Sequence, residues 1–259
     1  MTRKHLYLAC GLLALASVSN LALARRSHAP IDPSCQLPNK EDSFKLAVSW
    51  QPAFCESHRR KPECKITDST VYQASHFTLH GLWPNKRDCG TNYGMCGQYK
   101  QQAKSFCDYA PVPLKPETVK NLSEIMPSVA GGSCLDRHEW YKHGTCQTEW
   151  NADQYFDTAV RLVKEFNDKG VAEFMTKNTG KTVETAEFLQ VVDKSFGKDA
   201  SHRLSLGCDR KGNLVDVFIN LPQQIPADKP LTDLIQQAPE SFNNRCGDRF
   251  SIDAIGYNR

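Results

Sequence analysis

Eleven cysteines in a chain of 259 residues restrict how this protein can fold more than any other feature does. Cys10 falls in a stretch that opens with Arg3, Lys4 and His5, runs through apolar Leu6 to Val18, and reaches Ala22-Leu23-Ala24 before Arg25-Arg26. A basic start, a short apolar run and an A-x-A cleavage pattern predict a secretory leader over residues 1–24. The run is shorter than the span of about 20 apolar residues that a membrane helix needs. Too little apolar sequence precedes Cys10 for a lipoprotein signal. Ten cysteines then remain, at positions 35, 55, 64, 89, 96, 107, 134, 146, 208 and 246. An even number in an exported chain predicts five disulfides and leaves no thiol for catalysis. Ten cysteines allow roughly 945 pairings, so only short loops are open to a guess, Cys55 with Cys64 and Cys208 with Cys246. No C-x-x-C pair occurs, which argues against a cysteine-held zinc.

Residues 25–259 contain no Gly/Ser-rich linker, charge block or internal repeat, and are predicted to form one domain. Phe44, Leu46, Val48 and Trp50 alternate with polar or small residues, the period of a half-buried strand. Phe77 and Leu79 repeat the pattern, Leu82 less cleanly. Leu204-Ser205-Leu206, Leu214 to Ile219 and Phe250-Ser251-Ile252 supply further strands. Between them the period turns helical. Pro116 to Met126 carries an apolar face and stops at Pro127. Asn151 caps a stronger helix with a broad apolar stripe from Tyr155 to Phe166, ended by Gly170. Shorter helices are expected over Val171 to Lys177 and Val183 to Ser195. Strands, then helices, then strands without strict alternation predict an α+β fold with a central antiparallel sheet and helices packed on it.

Two segments carry chemistry. In His76-Phe77-Thr78-Leu79-His80-Gly81-Leu82-Trp83-Pro84, the apolar Phe77 and Leu79 point one way and His80 the other, just before a glycine that permits close approach. In His138-Glu139-Trp140-Tyr141-Lys142-His143-Gly144-Thr145-Cys146, helical spacing puts His138, Glu139, Lys142 and His143 on one face, with Trp140 and Tyr141 as anchors on the other. The plain alternatives are a polar strand end and a solvated helix face with a Glu–Lys pair. A zinc-protease reading fails on spacing. The second histidine comes five residues after the first, where H-E-x-x-H needs four, so the imidazoles should diverge by more than a quarter turn, and Lys142 would sit beside the metal.

The strings FTLHGLWP (Phe77 to Pro84) and HEWYKHGTC (His138 to Cys146) resemble the two signatures of the ribonuclease T2 family, in order and suitably separated, and the likeness spans most of the chain after the leader. The resemblance implies a disulfide-rich fold of that type, similar to the exported bacterial members, that cleaves RNA without a cofactor or metal. It implies His80, Glu139, Lys142 and His143 as catalytic residues, with His143 the base and His80 the acid in the first step, an assignment that can be reversed without altering the overall chemistry. The attacking 2′-hydroxyl needs a base and the departing 5′-oxygen an acid, and imidazoles titrating near pH 6.5 can serve as both. Lys142 would meet the charge developing on the phosphoryl group, Glu139 would tune its neighbours, and His138 would contact phosphate. Trp83 resembles a base-stacking residue, the rival reading being a core tryptophan. Asn85 stands where relatives carry aspartate, so base preference does not carry over. Tyr93 is a further base-site candidate, and Cys107 is paired with Cys146 by likeness.

Charge offers little support by itself, since loss of Arg3 and Lys4 lowers the net charge from +3 to +1. Phosphate binding must therefore come from a local cluster. The basic run His58-Arg59-Arg60-Lys61 reads as a solvated loop rather than an RNA guide, Asn121-Leu122-Ser123 as an incidental sequon, and His202 has no evident partner. The expected partner is single-stranded RNA of little sequence specificity, with DNA uncut for want of the 2′-hydroxyl, no membrane contact in the processed form, a monomeric state, and a periplasmic or secreted location. Two rival classes remain: a metal-dependent hydrolase, which a chelator would stop, and a non-catalytic RNA binder, which would keep its function without His80 or His143.

Overall fold

The alternation that begins at Phe44 forms strand β1 (Ser43–Ser49), followed at once by helix α1 (Gln51–Ser57), which Pro52 opens. The computed structural model describes residues 31–256, so the expected leader over residues 1–24 lies outside the described residues. Strand β2 (Thr78–Asn85) comes next. A run of helices follows: α2 (Pro116–Ile125), α3 (Pro127–Gly131), α4 (Leu135–Lys142), α5 (Ala152–Phe166) and α6 (Ala172–Lys177). The chain closes with β3 (Thr182–Glu184), α7 (Thr185–Phe196), β4 (Leu204–Cys208), β5 (Leu214–Leu221), α8 (Leu231–Gln237), β6 (Asn243–Asn244) and β7 (Arg249–Ser251). Pro127 does end α2, but as the first residue of α3. Asn151 caps α5 in a reciprocal pair with Gln154, each side chain accepting from the other's backbone N–H. Among the described residues no helix is long and apolar enough to cross a membrane.

The central sheet has the order β2-β1-β5-β4-β6. Its four long strands are antiparallel, but β6 joins β4 in parallel, so the sheet is mixed and not purely antiparallel as the sequence suggested. The short β6 arrives through a crossover containing α8, a connection that permits parallel pairing. Phe250 belongs to β7, which pairs with β3 in a separate two-stranded sheet, because Val183 supplies an apolar partner opposite it. Leu46, Val48, Leu79, Leu82, Val217 and Ile219 point to one side of the central sheet and join the stripe of α5 in the main core. The stripe from Tyr155 to Phe166 is buried, each large apolar side chain contributing roughly 1.5–3 kcal/mol when removed from water. Residues between them, Lys45, Ser49, Trp83, Asp216 and Phe218, take the other side, which the site uses.

Five disulfides form: Cys35–Cys89, Cys55–Cys64, Cys96–Cys146, Cys107–Cys134 and Cys208–Cys246. Both short-range pairs guessed from spacing are present, but the pairing of Cys107 with Cys146 is replaced by two bonds. Cys134 immediately precedes α4 and Cys146 lies in the turn that follows it. Eight helical residues span roughly 12 Å, while a disulfide needs α-carbons within about 7 Å. Cys107 at one end cannot reach Cys146 at the other, so α4 is fastened at both ends. Serine at both Cys107 and Cys134 is expected to lower the unfolding free energy by about 3 kcal/mol, read by urea denaturation followed by circular dichroism.

Candidate active site

A slip in register places the first histidine. Ala47 pairs with Gly81, yet Val48 pairs with Leu79, so His80 is the extra residue of a β-bulge in β2. This is why the apolar period stumbles from Leu79 to Leu82. Both leucines reach the core and the surplus residue is turned out of the ladder, a common device for aiming a side chain beside a site. The His80 side chain, 34% exposed, lies between two carboxylates: Nε2 is 3.9 Å from Glu139 and Nδ1 is 3.7 Å from Asp216. Asp216 was not singled out in the sequence.

The glycine after His80 allows close approach, but by the protein itself. A methyl group at Gly81 would overlap the carboxylate of Glu139 and the indole nitrogen of Trp83. With hydrogen there instead, α4 packs onto β2 closely enough for Trp83 Nε1 to donate to Glu139 Oε2 at 2.7 Å. Trp83 also stacks on His143 with ring centroids 5.1 Å apart and meets His80 edge-on at 5.2 Å. It is thus the contact between the two histidines, a role that neither the stacking nor the core reading foresaw.

Helix α4 supplies the remainder. Trp140 packs on Tyr155, and Tyr141 packs between Tyr99 and Tyr109, the anchoring that their positions opposite the polar face implied. His138 stacks on Phe106 at 4.1 Å. The helix ends at Lys142, and His143 leaves it at φ −112°, ψ −54°. This departure brings the His138 and His143 rings to a centroid separation of 6.1 Å, contrary to the divergence expected of a continuous helix. One ligand-type atom each from His138, Glu139 and His143 lies within 4.8 Å of the others, so sterics do not forbid a shared cation. Charge opposes one, because the Lys142 ammonium acts against protonation of both imidazoles and would repel a metal in the same way.

The titrating groups are displaced in different directions. Burial, reinforced by Lys142, pushes His138 down to about 3 and His143 well below the ordinary 6.5. Burial also pulls on His80, but Asp216 and Glu139 together outweigh it and Lys142, and its pKa is raised. Burial pushes Glu139 up to about 7, with His80, Trp83 and Lys142 opposing. Nδ1 of His138, Nδ1 of His143 and Oε1 of Glu139 are buried without hydrogen-bond partners, which leaves capacity facing the same cluster.

Two cavities meet at His80 and His138. One, of about 390 Å³, is lined by Lys45, Trp83, Asn85, Tyr93, Glu139, Lys142 and His143 as well. Asn85 donates to Ser43 Oγ there, and Tyr93 presents its ring while its hydroxyl donates toward Leu37 and Glu41. Lys45, opposite Trp83 in the ladder and with its pKa lowered by burial, is a cation that the sequence reading missed. The other cavity, of about 270 Å³, is lined by Gln51, Phe54, His58, Lys61, Glu63, Phe106 and Ser128 among others. His58 stacks on Phe54 and Lys61 lies 5.8 Å from the Phe106 ring, so half of the basic run faces a cavity and is not merely solvated loop. His202 and Asn121 line neither cavity.

A sequence model of the Ribonuclease T2 family matches residues 41–228. The chain is 32% identical to Ribonuclease I of Escherichia coli (strain K12) over 281 aligned positions, covering 98% of each protein. It is 31% identical to Ribonuclease 1 of Arabidopsis thaliana, over 49% of this chain and 51% of that protein. Among solved structures, Actibind, described as a T2 ribonuclease, has a TM-score of 0.58 at 17% identity, covering 88% of this chain and 93% of that one. RNase NT, solved with 5′-AMP, has a TM-score of 0.53 at 18% identity over 83% of this chain and 98% of that one. These last two show likeness of fold alone. With a family match over most of its length and a relative similar from end to end, the chain belongs to the ribonuclease T2 family and is a ribonuclease.

Proposed function

We propose that this ribonuclease is an exported, metal-independent endonuclease that cleaves single-stranded RNA of little base specificity through a 2′,3′-cyclic phosphate. The observation that carries the reading is that two histidines flank one tryptophan and line one cavity, with burial lowering the pKa of His143 and neighbouring carboxylates raising that of His80. Burial keeps His143 neutral and able to accept the proton of the 2′-hydroxyl. Two carboxylates keep His80 charged and able to protonate the departing 5′-oxygen. The roles exchange when water opens the cyclic phosphate. In this reading Lys142 and His138, which line the same cavity, meet the phosphoryl oxygens, where a preorganised donor stabilises the developing charge most. Glu139 sustains the charge on His80 and is itself held by Trp83.

Two cavities sharing His80 and His138 suit a phosphodiester with a nucleoside on each side, which supports cutting within a chain. Trp83 and Asn85 line one of them, as substrate-binding residues should. Because His143 covers part of the Trp83 ring, stacking there uses what remains exposed. In the other, the Ser128 hydroxyl and Glu63 Oε2 have no partners and are free to bond a base. Export to a periplasm or the exterior follows from the leader reading of residues 1–24 together with five disulfides, which persist in oxidising compartments. The processed chain, residues 25–259, acts in this reading as one catalytic domain and as a monomer.

Incubation with RNA in EDTA tests the reaction class: activity should be undiminished, oligonucleotides with 2′,3′-cyclic phosphate ends should accumulate first, and DNA should survive. Loss of activity on chelation, or 5′-phosphate products from the outset, would refute the mechanism. His80→Ala and His143→Ala should each lower kcat by at least about a hundredfold, the usual contribution of a general acid or base. The pH profile of kcat/KM has a required sign. His143 stays neutral below 6.5 and His80 stays charged above it, so activity should be high on both sides of that value, falling in acid as His143 protonates and in alkali as His80 loses its proton.

A further inference from the structure

We infer that Asp216, held by Ser49, is the positioning residue that fixes the orientation and charge of His80, making a Ser49–Asp216–His80 line across three neighbouring strands. The inference rests on the reading of His80 as the acid of the first step. Its evidence is geometric. The three residues come from β1, β5 and β2, and Ser49 is paired directly with Asp216 in the ladder. Ser49 Oγ donates to Asp216 Oδ1 at 2.6 Å, and the same oxygen lies 3.7 Å from His80 Nδ1. No Lys or Arg pairs with Asp216 among the described residues, so the imidazole is the cation nearest to its carboxylate. Asp216 is only 25% exposed at its side chain, which limits the screening of that contact by water.

The position has a clear physical use. A bulged residue lacks the ladder contacts that fix its neighbours, so the direction of its side chain must be set by something else. A carboxylate at Nδ1 does this and selects the tautomer, leaving Nε2 to turn toward the cavity. It also favours the protonated ring, which the acid role requires. The other groups facing His80 are Glu139 and Lys142 from α4, the imidazoles of His138 and His143, and the edge of Trp83. Of the two carboxylates, Glu139 stands 3.9 Å from Nε2 on the cavity side, whereas Asp216 stands 3.7 Å from Nδ1. Asp216 is therefore the carboxylate that can set the tautomer.

The test uses Asp216→Asn, which keeps an acceptor for Ser49 and removes the charge. The expected result is a selective loss: kcat/KM falls about tenfold near pH 8 but less than about threefold near pH 5.5, because His80 releases its proton earlier. The NMR titration midpoint of His80 should move toward lower pH in the variant, and Asp216→Glu should restore part of the alkaline activity. A uniform loss at all pH values with an unmoved His80 midpoint would reduce Asp216 to a structural residue and overturn the inference. An unchanged profile would do the same. Should the asparagine variant not fold, the unmodified protein still decides, since a His80 midpoint at or below 6.5 contradicts the inference. His80→Ala separates the two readings: retained activity there defeats the acid assignment, while the NMR midpoint reports on Asp216 whatever His80 does.

Discussion

The close contact of α4 with β2 at Gly81 is the constraint on which the site depends. It requires a residue without a side chain at that position, a bulge just before it, and a helix whose polar face carries Glu139 inward. With all three, the Glu139 carboxylate reaches the Trp83 N–H across the gap and stands beside His80. Burying a carboxylate is expensive unless it is bonded or neutralised. Here it is half satisfied by one indole donor and half relieved by its raised pKa. Its second oxygen, without a hydrogen bond, is the one that faces His80.

The same economy governs the rest of the electrostatics. A net charge of +3 over the whole chain is too small for a general attraction to RNA. In the proposed reading phosphate is met by local cations, with Lys142 and Lys45 lining one cavity and Lys61 the other. Opposite titration of two imidazoles so near each other needs different surroundings within a few ångströms. His143 obtains a neutral state from burial and from Lys142 beside it, whereas His80 sits at the mouth, where carboxylates from two elements reach it. The division follows from which strand or helix each ring grows on.

Much of the site could be read from the sequence because it is written in two short strings. Within each, spacing on a strand or a helix fixes relative placement, and the family resemblance reinforces it. The failures share a cause. The convergence of His138 and His143 depends on where α4 stops, which spacing along an ideal helix does not reveal. Asp216 and Lys45 reach the site by lateral pairing of β1 with β5 and β2, over separations at which sequence pattern is silent. Parallel pairing of β6 and the separate home of β7 are also matters of partner choice, which alternation does not encode. The bulge at His80 was visible only as an imperfection, the late arrival of Leu82. The mispaired Cys107 shows the same limit, since connectivity depends on which loops meet in space.

The two staples on α4 can be understood from its length. Eight residues are fewer than the roughly 12–15 at which an isolated helix becomes even marginally stable. This one also begins at a residue with left-handed dihedrals, Cys134, and lacks a side-chain cap. Left to its own propensity, such a segment would fray, and fraying would separate Glu139 from Trp83 and His143 from the cavity. Covalent bonds at Cys134 and Cys146 remove much of that freedom before folding, while Trp140 and Tyr141 hold the side away from the chemistry. The disulfides therefore bear on function through geometry: they keep a polar, intrinsically weak helix at the separation that the Gly81 contact demands.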